Sequence, residues 1–387
     1  MDNYFGDHPL NSFYIGRGND RKMLDILHNG NKVHNDWIRM IEQLTVDRNG
    51  ISLTYPASDG IMTHREFPCR FDGINMSDID LLTGLKSIQI GSYDGRLYAH
   101  KWSENLESIR IEHATNSYEV LDAIDRFPEL KRLTARIICG IKGKGRPYSL
   151  PQQLKEKLIH LDANFICEWD ALDGFSALES LTLFSGNVMT ILPPLTDMPV
   201  LPSLKSLCLD RYSYTTLDGI ENLPVVEVLN INNGMVSDLS ALSGRKSIRE
   251  LYACNNNLYD LAPLSDMDIG KLFIGSNMVE DLSPLANCKI KCLDIGGNPI
   301  DSIEPLAGHD NLEFLGLRGL PIKDLSPLYG CKNLRSLILD IETLPDKSQL
   351  EKLSFVPYIN NQPFLVIWEK CFSGIKAEKP VASSGFF

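Results

Sequence analysis

A chain of 387 residues, 43% hydrophobic and 23% charged, has enough apolar material for one elongated core or roughly two or three ordinary ones. Its net charge of −12 argues against binding nucleic acid through phosphates, which needs a basic patch, and against an anionic membrane as the main partner. Nine cysteines, an odd number scattered along the chain, do not read as a disulfide framework and fit a reducing, cytoplasmic setting.

Met1–Asp20 has no basic stretch followed by an apolar run, so no signal peptide is expected, and no segment approaches the ~20 apolar residues of a membrane-spanning helix. Export by a route that needs no cleaved signal stays open. Residues 18–44 place Met23, Leu24, Ile26 and Leu27, then Trp37, Ile38, Ile41 and Leu44, at helical spacing. That predicts one or two short helices joined at Asn29–Asn31. Residues 50–72 partly alternate (Ile51, Leu53, Tyr55, then Ile61, Phe67) and predict a hairpin around Ser58-Asp59-Gly60. Together residues 1–75 read as an N-terminal cap.

Residues 76–177 carry an irregular repeat of the form L-x-x-L-x-L. Leu85/Ile88/Ile90, Leu106/Ile109/Ile111 and Leu130/Leu133/Ala135 keep its spacing, and Leu158/Leu161/Ala163 continues it after the loop at Gly140–Pro147. From 178 to 345 the repeat is regular. Its triplets begin at Leu178, Leu204, Val226, Ile248, Ile269, Ile290, Leu312 and Leu334, in steps of 26, 22, 22, 21, 21, 22 and 22 residues. The period of two inside each triplet marks a short strand with one buried face, repeated as in a solenoid. Asn256, Asn277 and Asn298 stand three residues after the last apolar position and are expected to form a structural ladder that satisfies backbone groups of the turns. DLSPL at Asp281–Leu285 and Asp324–Leu328, DLAPL at Asp260–Leu264 and DLSAL at Asp238–Leu242 predict a tight return, since proline fixes φ and has no donor to lose.

These residues resemble the internalin-type leucine-rich repeats of bacteria, about 22 residues long with N-x-I-x-D-[IL]-S-P-L before the next strand. Asn298–Leu306 follows that pattern, with Ser302 where Asp would stand and Glu304 where Ser would. The resemblance covers about 178–345. It implies an α/β-type repeat solenoid, a leucine-rich-repeat horseshoe with a concave parallel β-sheet and a short, helix-poor convex side. The shared residues build the spine, so the resemblance implies a fold rather than a partner. After the repeats, 346–376 reads as a C-terminal cap in which Phe364–Trp368 would form a closing strand, and 377–387 as a flexible tail.

The sites follow from the strand period. Residues between and beside the two inward strand positions face the concave sheet, which puts Tyr252, Phe273 and Phe314 at its middle, Phe184 further off, and Glu250, Lys271, Asp294 and Arg318 around them. Aromatics rimmed by charge are what partner-binding hot spots look like. The plainer alternative is that these rings only cover sheet surface. Arg110, Arg132 and Arg136, with Lys142, Lys144 and Arg146, are a second candidate, for an acidic partner or a phosphate, but GIKGKGRP lacks the order of a phosphate-cradling loop and a solvated loop is the plainer reading.

No chemistry stands out beside this. The eight histidines form no pair at metal-ligand spacing, Cys288 and Cys292 lack a second pair to complete a zinc site, and no Gly-x-Ser-x-Gly elbow occurs. The sequence therefore reads as a non-catalytic, monomeric scaffold binding another protein, with no cofactor and no metal. Alternatives are a translocated bacterial effector or a toxin-neutralising protein acting by binding, an enzyme seated in residues 1–75, and an array that pairs on itself.

Overall fold

The computed structural model describes residues 39, 41–47, 50–56, 62–68, 82–90, 103–114, 127–137, 150–163, 169–184 and 192–366. The chain divides into two compact units, Met1–Asn187 with Asp197–Lys205, and Val188–Thr196 with Ser206–Phe387.

The first unit contains strands β1 (Gln43–Asp47), β2 (Gly50–Pro56), β3 (Met62–Pro68), β4 (Ser87–Ile90), β5 (Ser108–Ala114), β6 (Arg132–Ile137), β7 (His160–Ala163) and β8 (Ser180–Phe184). β2 and β3 form the expected hairpin, in register from Gly50↔Pro68 to Pro56↔Met62, and its turn falls outside the described residues. β1 pairs antiparallel with β2 and parallel with β4, after which β4 to β8 follow one another in parallel. One expectation changes here. Ile41 and Leu44 are not helical: both are buried at or beside β1, and Leu44 stands in register with Ile88. Ile41/Leu44/Val46 is one more L-x-x-L-x-L triplet, 44 residues before Leu85 and so two repeat lengths away. The i, i+3 spacing of its first two members is shared by a helix, which is why local pattern alone misreads it. The expected helices at Met23–Leu27 and Trp37–Ile38 lie outside the described residues.

The second unit stacks β9 (Ser206–Asp210), β10 (Val228–Asn230), β11 (Glu250–Tyr252), β12 (Lys271–Phe273), β13 (Cys292–Asp294), β14 (Phe314–Gly316), β15 (Ser336–Ile338) and β16 (Tyr358–Ile359) in parallel. The register is one leucine per coil: Leu207, Leu229, Leu251, Leu272, Leu293, Leu315, Leu337 and then Ile359, all fully buried. A coil too small to enclose its own core is stable only against its neighbours, so this column is where the repeats hold together. The return is made by single-turn 3₁₀ helices: Ser240–Leu242, Ala262–Leu264, Ser283–Leu285, Glu304–Leu306 and Ser326–Gly330. The Asp that opens each DLSPL-like motif starts the turn: Asp238, Asp260, Asp281 and Asp324 accept from the N–H two residues on, at 2.7–2.8 Å. One such turn per coil is what keeps the repeat near 22 residues.

β16 is the closing strand, folded back on β17 (Gln362–Pro363) through Asn360 and Asn361, both at positive φ as a two-residue hairpin requires. This corrects the expectation of a closing strand at Phe364–Trp368. Residues 364–366 are helical, with Phe364 buried and Leu365 and Val366 exposed, while Ile367 and Trp368 lie outside the described residues. Pairing with β15 selected the segment that could continue the parallel register, not the most apolar one.

Beneath the returns, Met267, Cys288, His309 and Cys331 occupy one repeat position and are all buried. The Nε2 of His309 is buried with no hydrogen-bond partner among the described residues. Burial holds the imidazole below its usual range, against the carbonyls of Ala286 and Pro305, which act in the other direction. Because the folded-state value is depressed, the unfolded chain binds the proton first. The contribution is then complete above the unfolded value of about 6.5 and is lost as pH falls through it. In urea titrations at about pH 8 and about pH 5.5, wild type should lose more stability on acidification than His309→Gln; equal losses would exclude His309 as the source.

Candidate sheet-face binding site

The strands β11 to β13 alternate strictly and β14 departs only at the buried Gly316, so each sends one leucine inward between two residues of the sheet face. The outward pairs are Glu250 and Tyr252, Lys271 and Phe273, Cys292 and Asp294, and Phe314 with Gly316. Stacking in register converts this into rows: Tyr252, Phe273, Asp294 and Gly316 form one, and Glu250, Lys271, Cys292 and Phe314 the other.

Across these rows the rings close into a column. Tyr252 stacks on Phe273 with centroids 5.3 Å apart and planes at 17°, and Phe273 on Phe314 at 6.1 Å and 24°. Phe273 and Phe314 meet although β13 lies between them, because that strand offers only Cys292 and Asp294 there. Such stacking contributes about 0.5–1.5 kcal/mol per pair beyond area burial. All three rings are half-buried. Along one side the Tyr252 hydroxyl donates to Glu250 Oε2 at 2.7 Å, and Lys271 Nζ pairs with Glu250 Oε1 at 2.9 Å. Burial pushes the Glu250 carboxyl up, but the hydrogen bonds from Lys271 and Tyr252 outweigh it and leave it below its usual range. Burial and then the contact with Glu250 raise the Tyr252 phenol, with Lys271 acting in the other direction. On the other side the half-buried Asp294 accepts from the Gly296 N–H at 3.1 Å, and the exposed Arg318 stands 3.8 Å from Asp340.

The structure thus brings Glu250, Tyr252, Lys271, Phe273, Asp294 and Phe314 together on one face, with Arg318 at its C-terminal edge. Phe184 does not join them by any described contact: it ends β8 in the first unit, and its side chain lies outside the described residues. Asn256, Asn277 and Asn298 are buried and bond backwards into the preceding coil. Asn277 accepts from Leu258 N–H at 3.0 Å and donates to the carbonyls of Ala253, Ile274 and Gly275 at 2.9–3.3 Å. Asn256 and Asn298 repeat this with Val236 and Val279 as donors. Of the basic group, Arg110 and Arg132 lie on β5 and β6, Arg136 also lies on β6, and the loop carrying Lys142, Lys144 and Arg146 lies outside the described residues.

Two features escaped the sequence reading. Arg211, Asn233, Asn255, Ser276, Gly297 and Gly319 form a row of left-handed residues, φ between 56 and 76°, one per coil at the turn after each strand. Asn233 donates to Asp210 and Asn255 to Asn233, extending a second, exposed ladder. The available signal was Asn255 and Gly297 one residue before the buried Asn256 and Asn298, with Ser276 breaking it before Asn277. In the first unit, His160 Nε2 lies 3.1 Å from Asp162 Oδ1, and Thr134 donates to Asp162 Oδ2 at 3.2 Å. Burial pushes the Asp162 carboxyl up, but His160, Thr182 and Thr134 together leave it lowered. Strand alternation could have aligned these residues had β6 to β8 been set in register.

Among the described residues no three His, Cys, Asp or Glu side chains gather as metal ligands, and no helix is long and apolar enough to cross a membrane. Cys288 is buried in the core while Cys292 is half-buried on the sheet face.

No protein-family model and no curated protein sequence matches the chain. Solved structures do. An internalin, InlF of Listeria monocytogenes, is 18% identical, aligns over 85% of this chain and 89% of its own, and superposes with a TM-score of 0.59. The leucine-rich-repeat ectodomain of the plant receptor kinase GASSHO1/SCHENGEN3 of Arabidopsis thaliana, in complex with CASPARIAN STRIP INTEGRITY FACTOR 2, is 16% identical over 74% of this chain and 40% of that one, with a TM-score of 0.51. What these share with the chain is the fold: it is a leucine-rich-repeat solenoid, built as internalins are built.

Proposed function

We propose that this leucine-rich-repeat chain is a non-catalytic scaffold whose sheet face over β11–β14 docks one partner protein. The observation that carries the reading is the column Tyr252, Phe273 and Phe314, half-exposed on a face whose core is already complete beneath it. Leu251, Leu272, Leu293 and Leu315 are each 0% exposed, so the rings are not needed to close the interior. Aromatic area held rigid on a flat sheet, with the Glu250–Lys271 pair as a polar edge, is the composition of an interface centre. Stacked strands ~4.8 Å apart give the second unit, from β9 to β16, a face on the order of 35 Å long, enough for a standard-size interface.

The reading includes a monomeric chain resident in the cytoplasm, needing no cofactor. A translocated effector or a toxin-neutralising protein would use the same face in the same way. The test is capture from the native lysate by wild type and by Tyr252→Ala/Phe273→Ala, followed by titration of the captured partner. Truncating two central aromatics should weaken binding by about 100-fold or more, with the circular dichroism spectrum unchanged. A stoichiometric partner that survives the double substitution would sink the assignment of this face.

A further inference from the structure

Four carboxylates stand in the strands of the second unit or within two residues of their C-terminal ends, and three have a cation. Asp210 has Arg211 at 3.5 Å, Glu250 has Lys271 at 2.9 Å and Asp340 has Arg318 at 3.8 Å. Among the described residues Asp294 has no cation within 4 Å, and its described hydrogen bond is the one from Gly296. It is also the carboxylate set among glycines. A Cβ added at Gly316 would come within 2.5 Å of Asp294 Oδ1, one at Gly296 within 3.3 Å and one at Gly275 within 3.7 Å. The carboxylate lies down across the glycine of the next strand, and any side chain at Gly316 would lift it. It sits in register with Phe273, between the two strands whose rings meet over β13.

We infer that Asp294 is the seat of an arginine of the partner protein, a refinement that rests on the docking reading above. Gly275, Gly296 and Gly316 put no side chains of their own beside the Asp294 carboxylate, which itself fills the place a Cβ at Gly316 would take, so a planar guanidinium can meet it from the sheet face. Its methylene stem then packs on the edges of the Phe273 and Phe314 rings. Guanidinium is weakly hydrated and presents a fork of donors, which suits a half-buried carboxylate next to aromatic surface better than an ammonium does. The charge of the chain, −12, draws a basic segment to this face at long range, and Asp294 is the one of these four carboxylates with no cation in place among the described residues.

The test uses the full chain against a displayed library of random peptides, keeping those that wild type retains and Tyr252→Ala/Phe273→Ala does not. Peptides so selected should share an arginine. Resynthesis with citrulline, which keeps the shape and removes the charge, should weaken binding about tenfold on wild type and under about twofold on Asp294→Asn. Because the citrulline exchange is read on wild type, it does not depend on how the variant folds. Peptides that need the rings but carry no shared arginine, or that lose equally on wild type and Asp294→Asn, would overturn the inference and leave the docking face standing. If every recovered peptide binds the double alanine as well as wild type, the docking reading falls and takes this inference with it.

Discussion

Replacing Asn277 with alanine should destabilise the second unit by about 3–5 kcal/mol, far more than the loss of a side chain this size from a surface. The Asn277 side chain is buried and bonds to its own coil and the preceding one at once. Its Oδ1 takes the Leu258 N–H of the preceding coil, and its Nδ2 serves the carbonyls of Ala253, Ile274 and Gly275. Alanine leaves that N–H buried without a partner, which costs the full desolvation of a donor rather than the modest net value of a hydrogen bond. Aspartate keeps the acceptor and loses the donor, so Asn277→Asp should also be destabilised. In a solenoid such a loss is not confined to one coil, because stability is a sum of coils and their interfaces. Urea titration of the whole protein, with hydrogen exchange read coil by coil, should show lower stability and earlier opening at β11 and β12. A change under about 1 kcal/mol would mean that other groups or water satisfy the ladder.

The second large effect is expected at Gly219, which opens the 3₁₀ turn Ile220–Asn222 with φ 101° and ψ −9°. A Cβ there would lie 2.2 Å from the Leu195 carbonyl carbon and from the Thr196 nitrogen, both backbone atoms. Backbone cannot swing aside as a side-chain tip can, so Gly219→Ala must displace one coil against the next. The expected cost is about 3 kcal/mol or more, left-handed strain included. Gly244→Ala is the control. That residue also has positive φ, 72°, but its added Cβ meets nothing within 4 Å, so only the conformational cost of about 1 kcal/mol applies. Comparable midpoints for the two variants would show that the Gly219 contact relaxes freely.

Both positions show where a sequence reading stops. Asn277 was visible because its role repeats with the coil. Gly219 was not, because the clash that forbids a side chain comes from Leu195 and Thr196, a coil away in the sequence. Ile41 and Leu44 illustrate the same limit in another form: their spacing suits a helix and a repeat triplet equally, and the pairing of β1 with β4 chose between them.

The sequence by itself determined the solenoid, the eight regular coils, the buried asparagines and the outward rows. These depend on periodicity, and a period of two inside a period of about 22 admits one way to bury every leucine. Only the tertiary structure decided which outward residues touch. Phe273 meets Phe314 across an intervening strand, Glu250 is paired with Lys271 and accepts from the Tyr252 hydroxyl, and Asp294 stands among three glycines with no cation among the described residues. The physical reason is that register sets rows of Cα atoms, whereas side-chain contacts depend on the sizes of neighbours two and three strands away, which no local pattern encodes.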